Sequence, residues 1–188
     1  KVLRWTMLLH DIGKPLTKST DSSGIDHFYG HQKVSCDLSF NILKRLRFDN
    51  KSIDTILKLV EHHDMTIDCD SKSIKSALRI LGKELFFMLL KVKEADMRAQ
   101  NIIYLEPRLD ELAKIKRLAE EIINEKQCYS LDTLAINGNH LIEIGIKHGK
   151  DIGIILNKLL DMVIESPELN TYSKLSQIVR SKFIDFVK

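Results

Sequence analysis

Apolar residues along this chain recur at helical spacing. Val34, Leu38, Ile42 and Leu46 form one stripe, Ile53, Ile56, Leu57 and Val60 a second, and Leu105, Leu109, Leu112 and Ile115 a third that continues to Ile123. The rhythm returns in Ile152, Ile155, Leu156, Leu159, Leu160 and Val163, and more loosely in Leu175, Val179, Phe183 and Phe186. Steps of three and four put each set on one helix face, which predicts amphipathic helices packed on a core. No alternating strand pattern of useful length appears, so the predicted fold class is all-α. Thr17 to Gly30, rich in Ser, Asp and Gly, predicts a loop between a helix through Leu8 and a helix through Val34. Pro107 suits the first turn of the helix over 102–123, while Asn137-Gly138, His148-Gly149 and Pro167 mark turns. A soft boundary near Gln127 divides a helical domain over 1–127 from a helical tail over 128–188.

Length and charge narrow the picture. With 188 residues the chain builds one sizeable domain, or one domain with a helical extension. It opens at Lys1 inside the apolar run Trp5-Thr6-Met7-Leu8-Leu9, so it is expected to be a fragment whose first helix is cut. The net charge of +3 excludes a uniformly basic coat for nucleic acid and leaves room for a local phosphate-binding surface. Three cysteines, Cys36, Cys69 and Cys128, fit no disulfide or metal spacing and are expected as reduced thiols in a cytoplasmic protein. No apolar run approaches the roughly 20 residues of a membrane span.

The chemistry concentrates in Leu9-His10-Asp11-Ile12-Gly13-Lys14-Pro15, where adjacent His and Asp end an apolar helix. A buried carboxylate beside an imidazole wants a cation, and an unpaired one would be costly. Further ligand-type residues are His27 and His31 around the loop exit, His62-His63-Asp64 at the end of the Ile53 helix, and Asp96. Any one of His27, His62 or Asp64 reads more readily as a helix cap or surface group. Imidazole with carboxylate suits divalent Mn, Fe, Co, Ni or Zn, with Mg where oxygen ligands dominate, and the sequence does not choose among them. Ligands dispersed in sequence must converge at one end of the bundle, with Asp11 and Asp96 carboxylates within about 5 Å if they share an ion.

His10-Asp11 with the later Asp96 resembles the HD superfamily of metal-dependent phosphohydrolases. Its pattern includes a further His upstream of the dyad, outside this chain, so an intact mononuclear set is not expected here and the site is expected to be empty or partly occupied. The resemblance implies ligand roles for His31 and the His62-His63 pair, as in binuclear members, a catalytic role for Asp11, and a contact from Lys14 to substrate phosphate. Lys14 is open to a plainer reading, neutralising the end of its own helix.

Longer stretches resemble HD-containing CCA-adding enzymes and their poly(A) polymerase relatives: Leu3-Arg4-Trp5, Leu8 to Pro15, His27-Phe28-Tyr29-Gly30-His31, Arg45-Leu46-Arg47-Phe48 and Val60-Glu61-His62-His63-Asp64. In the tail, Ala135-Ile136-Asn137-Gly138, Leu141 to Lys147 and Gly149 to Leu156 resemble the tRNA-contacting segment of those enzymes, with His140 standing where the family more often has an acidic residue. The resemblance implies tRNA as partner and a separate N-terminal nucleotidyltransferase head, through which alone ATP and CTP would act. Lys147, Gly149, Lys150 and Gly153 then become candidate phosphate contacts, in a hairpin of the Leu141–Ile146 helix and the helix from Asp151 through Val163. The plainer reading gives Gly149 to the turn and Gly153 to close helix packing. A free-standing HD phosphohydrolase acting on a nucleotide or cyclic phosphate, and a helical interaction module with vestigial His and Asp residues, remain as alternatives.

Overall fold

The computed structural model describes residues 1–100, 103, 105–147 and 149–183. Ile102, His148 and Phe186, which figure in the sequence reading, lie outside the described residues. The fold is all-α, with one small hairpin. Its elements are α1 (Val2–Leu9), α2 (Lys14–Thr17), β1 (Ser19–Thr20), β2 (Asp26–His27), α3 (His31–Arg45), α4 (Asn50–His62), α5 (Ser71–Ala99), α6 (Leu105–Asn124), α7 (Gly138–Ile144), α8 (Lys150–Glu165) and α9 (Tyr172–Lys182). The chain divides into two compact units, Lys1–Ile67 with Leu81–Lys116, and Asp68–Ile80 with Arg117–Lys188. The expected boundary at Gln127 falls inside the second unit. No helix among the described residues is long and apolar enough to cross a membrane.

In the first unit, Leu9 of α1, Leu43 of α3 and Ile53, Ile56 and Val60 of α4 form a buried cluster, with Trp5 and Phe48 packed edge to face against it at 5.1 Å. Burying each such aliphatic side chain stabilises the fold by roughly 1.5–3 kcal/mol. Asp49 starts α4 as its N-cap, accepting from the Ser52 amide at 2.8 Å. The packing of α3 departs from the predicted stripe. Its fully buried face is His31, Ser35, Ser39 and Leu43, while Leu46 is exposed and Val34, Leu38 and Ile42 are only half-buried. The small Ser35 lets the chain segment between α1 and α2 lie against α3. A Cβ on Gly13 would come within 2.6 Å of the His31 carbonyl oxygen and 2.7 Å of the Ser35 amide nitrogen, so only glycine fits there. The Gly13 amide donates to Ser35 Oγ at 2.9 Å and secures the contact.

The predicted Thr17–Gly30 loop contains the hairpin, in which Ser19 pairs with His27 and Thr20 with Asp26. Strands of two residues leave no periodic signal. The longest helix, α5, breaks at Gly82, whose φ of 74° and ψ of 162° are open to glycine and strained for other residues.

The second unit is built on Leu141 and Ile144 of α7, Ile155, Leu159, Leu160 and Val163 of α8, and Leu175 and Val179 of α9. His140, the departure noted in the sequence, has a structural use. It stands at the third position of α7, where Asn137 accepts from its amide at 3.2 Å and its Nδ1 accepts from the Asn137 amide at 3.1 Å. A capping box usually completes this exchange with Glu or Gln, and here imidazole does so.

Candidate metal centre

The centre grows from three histidines that end or begin helices of the first unit. His10 follows the last turn of α1, His31 opens α3 and His63 follows α4. Each ring is oriented in the same way. Nδ1 of His10 donates to the Met7 carbonyl at 2.9 Å, that of His31 to the Phe28 carbonyl at 2.8 Å, and that of His63 to the Val60 carbonyl at 2.7 Å. A carbonyl can only accept, so each Nδ1 carries the proton and each Nε2 presents a lone pair when the ring is neutral. Burial pulls the His63 imidazole below its ordinary value, which favours that neutral form.

The three lone pairs face carboxylates. His10 Nε2 lies 3.3 Å from Asp11 Oδ2 and 3.6 Å from Asp96 Oδ1. His31 Nε2 lies 3.4 Å from Asp11 Oδ1 and 3.2 Å from Asp64 Oδ2, and His63 Nε2 lies 3.5 Å and 3.3 Å from oxygens of the same two residues. His31 Nε2 and His63 Nε2 are themselves 3.2 Å apart. Asp11 Oδ1 is buried and has no hydrogen-bond donor among the described residues, although two imidazole nitrogens stand within 3.5 Å of it. An acceptor array of this kind is mutually repulsive unless a cation sits among its members, and it fits a divalent metal. Two overlapping triads can ligate, His10-Asp11-His63 and His31-His63-Asp64, each with its donor atoms within 4.8 Å of one another.

The cationic side chains define the rim. Lys14 Nζ donates to Asp11 Oδ2 at 2.6 Å and leaves Oδ1 to His31 and His63. Burial pushes the Asp11 carboxyl up, but the Lys14 hydrogen bond and the charges of His10, Lys14 and His63 outweigh it, so the group sits below the usual carboxylate range. Lys93 donates from Nζ to the His63 carbonyl at 2.9 Å, and burial lowers its ammonium from the ordinary value.

Of the residues singled out in the sequence, the structure brings His10, Asp11, His31, His63 and Asp96 together. His62 stands apart, with its Nε2 3.9 Å from Glu61 Oε2. As neighbours on one turn, His62 and His63 point about 100° apart, and only the second faces the cluster. His27 is also elsewhere, paired with Asp21 at 2.9 Å. Asp64, which reads from sequence as a cap, instead reaches both His31 and His63. Its place in His-His-Asp, mirroring His10-Asp11, was the signal available.

In the second unit, Lys147, Gly149, Lys150 and Gly153 are exposed. Gly149 is the N-cap of α8 with φ of 121° and ψ of −150°, and as a glycine it supplies no side-chain cap. No described atom lies within 4 Å of a Cβ built on Gly153, so close helix packing does not account for that glycine.

Comparisons with known proteins cover most of the chain. The family described as tRNA nucleotidyltransferase domain 2 matches residues 31–179. The match begins at His31, so His10, Asp11 and Lys14 lie ahead of it. The A-adding tRNA nucleotidyltransferase of Deinococcus radiodurans is 33% identical over 99 residues, which is 52% of this chain and 23% of that protein. The CC-adding tRNA nucleotidyltransferase of Thermus thermophilus is 26% identical over 170 residues, 86% of this chain and 36% of that protein. The chain thus spans well under half the length of these two relatives. No solved structure matches it.

Proposed function

Because this chain belongs to the tRNA nucleotidyltransferase domain 2 family, we propose that it is the helical body and tail of a CCA-adding type of tRNA nucleotidyltransferase, with a divalent-metal centre for phosphoester hydrolysis in its first unit. A separate nucleotidyltransferase head would carry the ATP and CTP chemistry. The observation that carries the metal reading is the convergence of three Nε2 lone pairs, each set by an Nδ1–H on a backbone carbonyl, on the Asp11 carboxylate, with His31 and His63 at its donorless Oδ1 and His10 at Oδ2. His10, Asp11, His31, His63, Asp64 and Asp96 are the proposed ligand set. Three imidazoles favour Mn, Fe, Co, Ni or Zn over Mg.

Bound there, a divalent ion supplies Lewis acidity for water activation and for offsetting phosphoester charge. The chain's own residues do the rest. The Met7, Phe28 and Val60 carbonyls hold the imidazoles in one tautomer. Lys14 holds one Asp11 oxygen and, at the rim, offers its ammonium to a non-bridging phosphate oxygen. Gly13 keeps Asp11 against α3.

The tail supports a second role, sequence-independent grip on a tRNA backbone. The start of α8, whose N-cap is a glycine without a capping side chain, presents first-turn N–H groups and the positive end of its dipole. Gly153 leaves an open face with no packing partner, where helix stability alone would favour Ala by about 1 kcal/mol. Asp151 shares that first turn, so Lys147 and Lys150 must carry the attraction.

The test of the metal role is hydrolysis of bis(p-nitrophenyl) phosphate and p-nitrophenyl phosphate by chelator-stripped protein before and after adding Mn, Co, Ni or Zn. Metal-restored turnover that His31→Ala and Asp11→Asn abolish is the expected result. Turnover indifferent to metal and to both variants would refute the reading.

A further inference from the structure

On the rim of the centre, the hairpin holds an aromatic side chain in the open. Tyr29 is 77% exposed, yet it is not loose. Its ring stacks on His27 with centroids 5.2 Å apart and planes 8° from parallel. His27 Nε2 lies 2.9 Å from Asp21 Oδ2, which fixes that nitrogen as the donor and leaves Nδ1 to accept from the Tyr29 hydroxyl at 3.3 Å. Asp21 is anchored in turn by the amides of Ser23 and Ile25, at 2.8 and 3.0 Å. Three side chains and a turn thus hold one tyrosine ring in a set orientation while leaving most of it in water. Ordering a side chain costs entropy, and a tyrosine this exposed buries little apolar surface to offset it.

Tyr29 borders an open cleft of about 400 Å³ shared with Lys14, His31, Gln32 and Asp64. One wall is therefore aromatic, another carries an ammonium, and the floor belongs to the metal centre. An aromatic face beside a cation and phosphate chemistry matches a nucleoside phosphate, because every base offers a π-face and stacking tolerates any of them. We propose that this cleft binds a nucleoside phosphate, with its base stacked on Tyr29 and its phosphate directed to Lys14 and the centre. The inference rests on the phosphoester reading of the centre. The nucleotide can come free or as the terminal residue of an RNA strand, since both present the same chemistry.

The experiment measures calorimetric affinity of the full chain for adenosine 5′-monophosphate, ribose 5-phosphate and a short single-stranded RNA, with and without added Mn. Wild type, Tyr29→Ala and Tyr29→Phe are compared. Stacking of about 1–3 kcal/mol per base converts to roughly 5- to 150-fold, so Tyr29→Ala should weaken adenosine monophosphate by that factor. Ribose 5-phosphate should be unchanged, and Tyr29→Phe, which keeps the π-face, should stay within a few-fold of wild type. A matching loss for RNA identifies the strand terminus as a source, and a loss for the mononucleotide alone identifies the free form. If Tyr29→Ala binds both like wild type, the inference is wrong, and it stands alone in failing if ribose 5-phosphate still binds in a Mn-dependent way. If none of the three probes binds, the inference and the phosphoester reading fall together.

Discussion

Replacing Gly13 with alanine places a methyl group between the turn that carries Asp11 and the start of α3. Gly13 has φ of −82° and ψ of −16°, a conformation alanine adopts freely, so the perturbation is purely steric. The new Cβ meets the His31 oxygen at 2.6 Å, the Ser35 amide nitrogen at 2.7 Å and Ser35 Oγ at 2.9 Å. Ordinary contact begins near 3.4 Å, so the turn and α3 must part by about 0.8 Å, and two of the three obstacles are backbone. Overpacking of this kind costs about 1–3 kcal/mol, and weakening the hydrogen bond from Gly13 to Ser35 adds about 1 kcal/mol. For a chain of this length the sum lowers Tm by roughly 5–15 °C. The same separation draws Asp11 from His31, now 3.4 Å apart, so affinity for Mn or Ni should fall by about 10- to 100-fold, as for lost supporting contacts around a metal. Thermal denaturation followed by circular dichroism and calorimetric metal titration read the two effects. A Gly13→Ala protein with wild-type Tm and wild-type metal affinity would refute the close approach as the device that sets the site.

Other outcomes follow from the same geometry. Lys14→Ala should lower phosphoester turnover on the order of 100-fold while metal affinity, by calorimetry, holds or rises, because Asp11 Oδ2 is released; equal losses in both would make Lys14 a structural prop. Lys147→Ala with Lys150→Ala should flatten the log–log salt dependence of tRNA binding by roughly 1–2 units, and an unchanged slope would reduce the hairpin to a turn. Burial pushes the Cys36 thiol up to about 11, whereas Cys69 is exposed, so iodoacetamide at neutral pH should label Cys69 on the order of 100-fold faster, as mass spectrometry can follow. Because the folded value is raised, Cys36 also contributes stability at neutral pH that is lost as pH climbs from the ordinary thiol range toward 11. Equal labelling rates would contradict that burial.

The sequence carried the helices whose apolar periodicity is regular, namely α4, α6 and α8. It was a poor guide to α3, where the predicted stripe through Val34 and Leu46 is not the buried face. Ser35 is inside because the turn at Gly13 needs a small neighbour, and His31 because its ring faces the centre, and polar residues buried for those reasons leave no hydrophobic period. The hairpin escaped for want of length. At the centre, ligand-type residues were visible as types, but helix phase sorted them. His63 and Asp64 reach the cluster and His62 points away from it, a distinction of about 100° per residue that depends on where α4 ends. The fixed tautomers were not legible at all, since they depend on carbonyls at Met7, Phe28 and Val60 that any residue would supply.

The central claim is that these imidazoles and carboxylates hold a divalent ion, and calorimetric titration of Ni or Mn into chelator-stripped protein tests it most directly. Wild type, His31→Ala, His63→Ala, His62→Ala and His27→Ala should be run side by side. The account predicts saturable binding in wild type, its loss in His31→Ala and His63→Ala, and affinity within about two-fold of wild type in His62→Ala and His27→Ala, which lie outside the cluster. Absence of binding by the folded wild-type chain, or a loss in His62→Ala equal to that in His63→Ala, would contradict it.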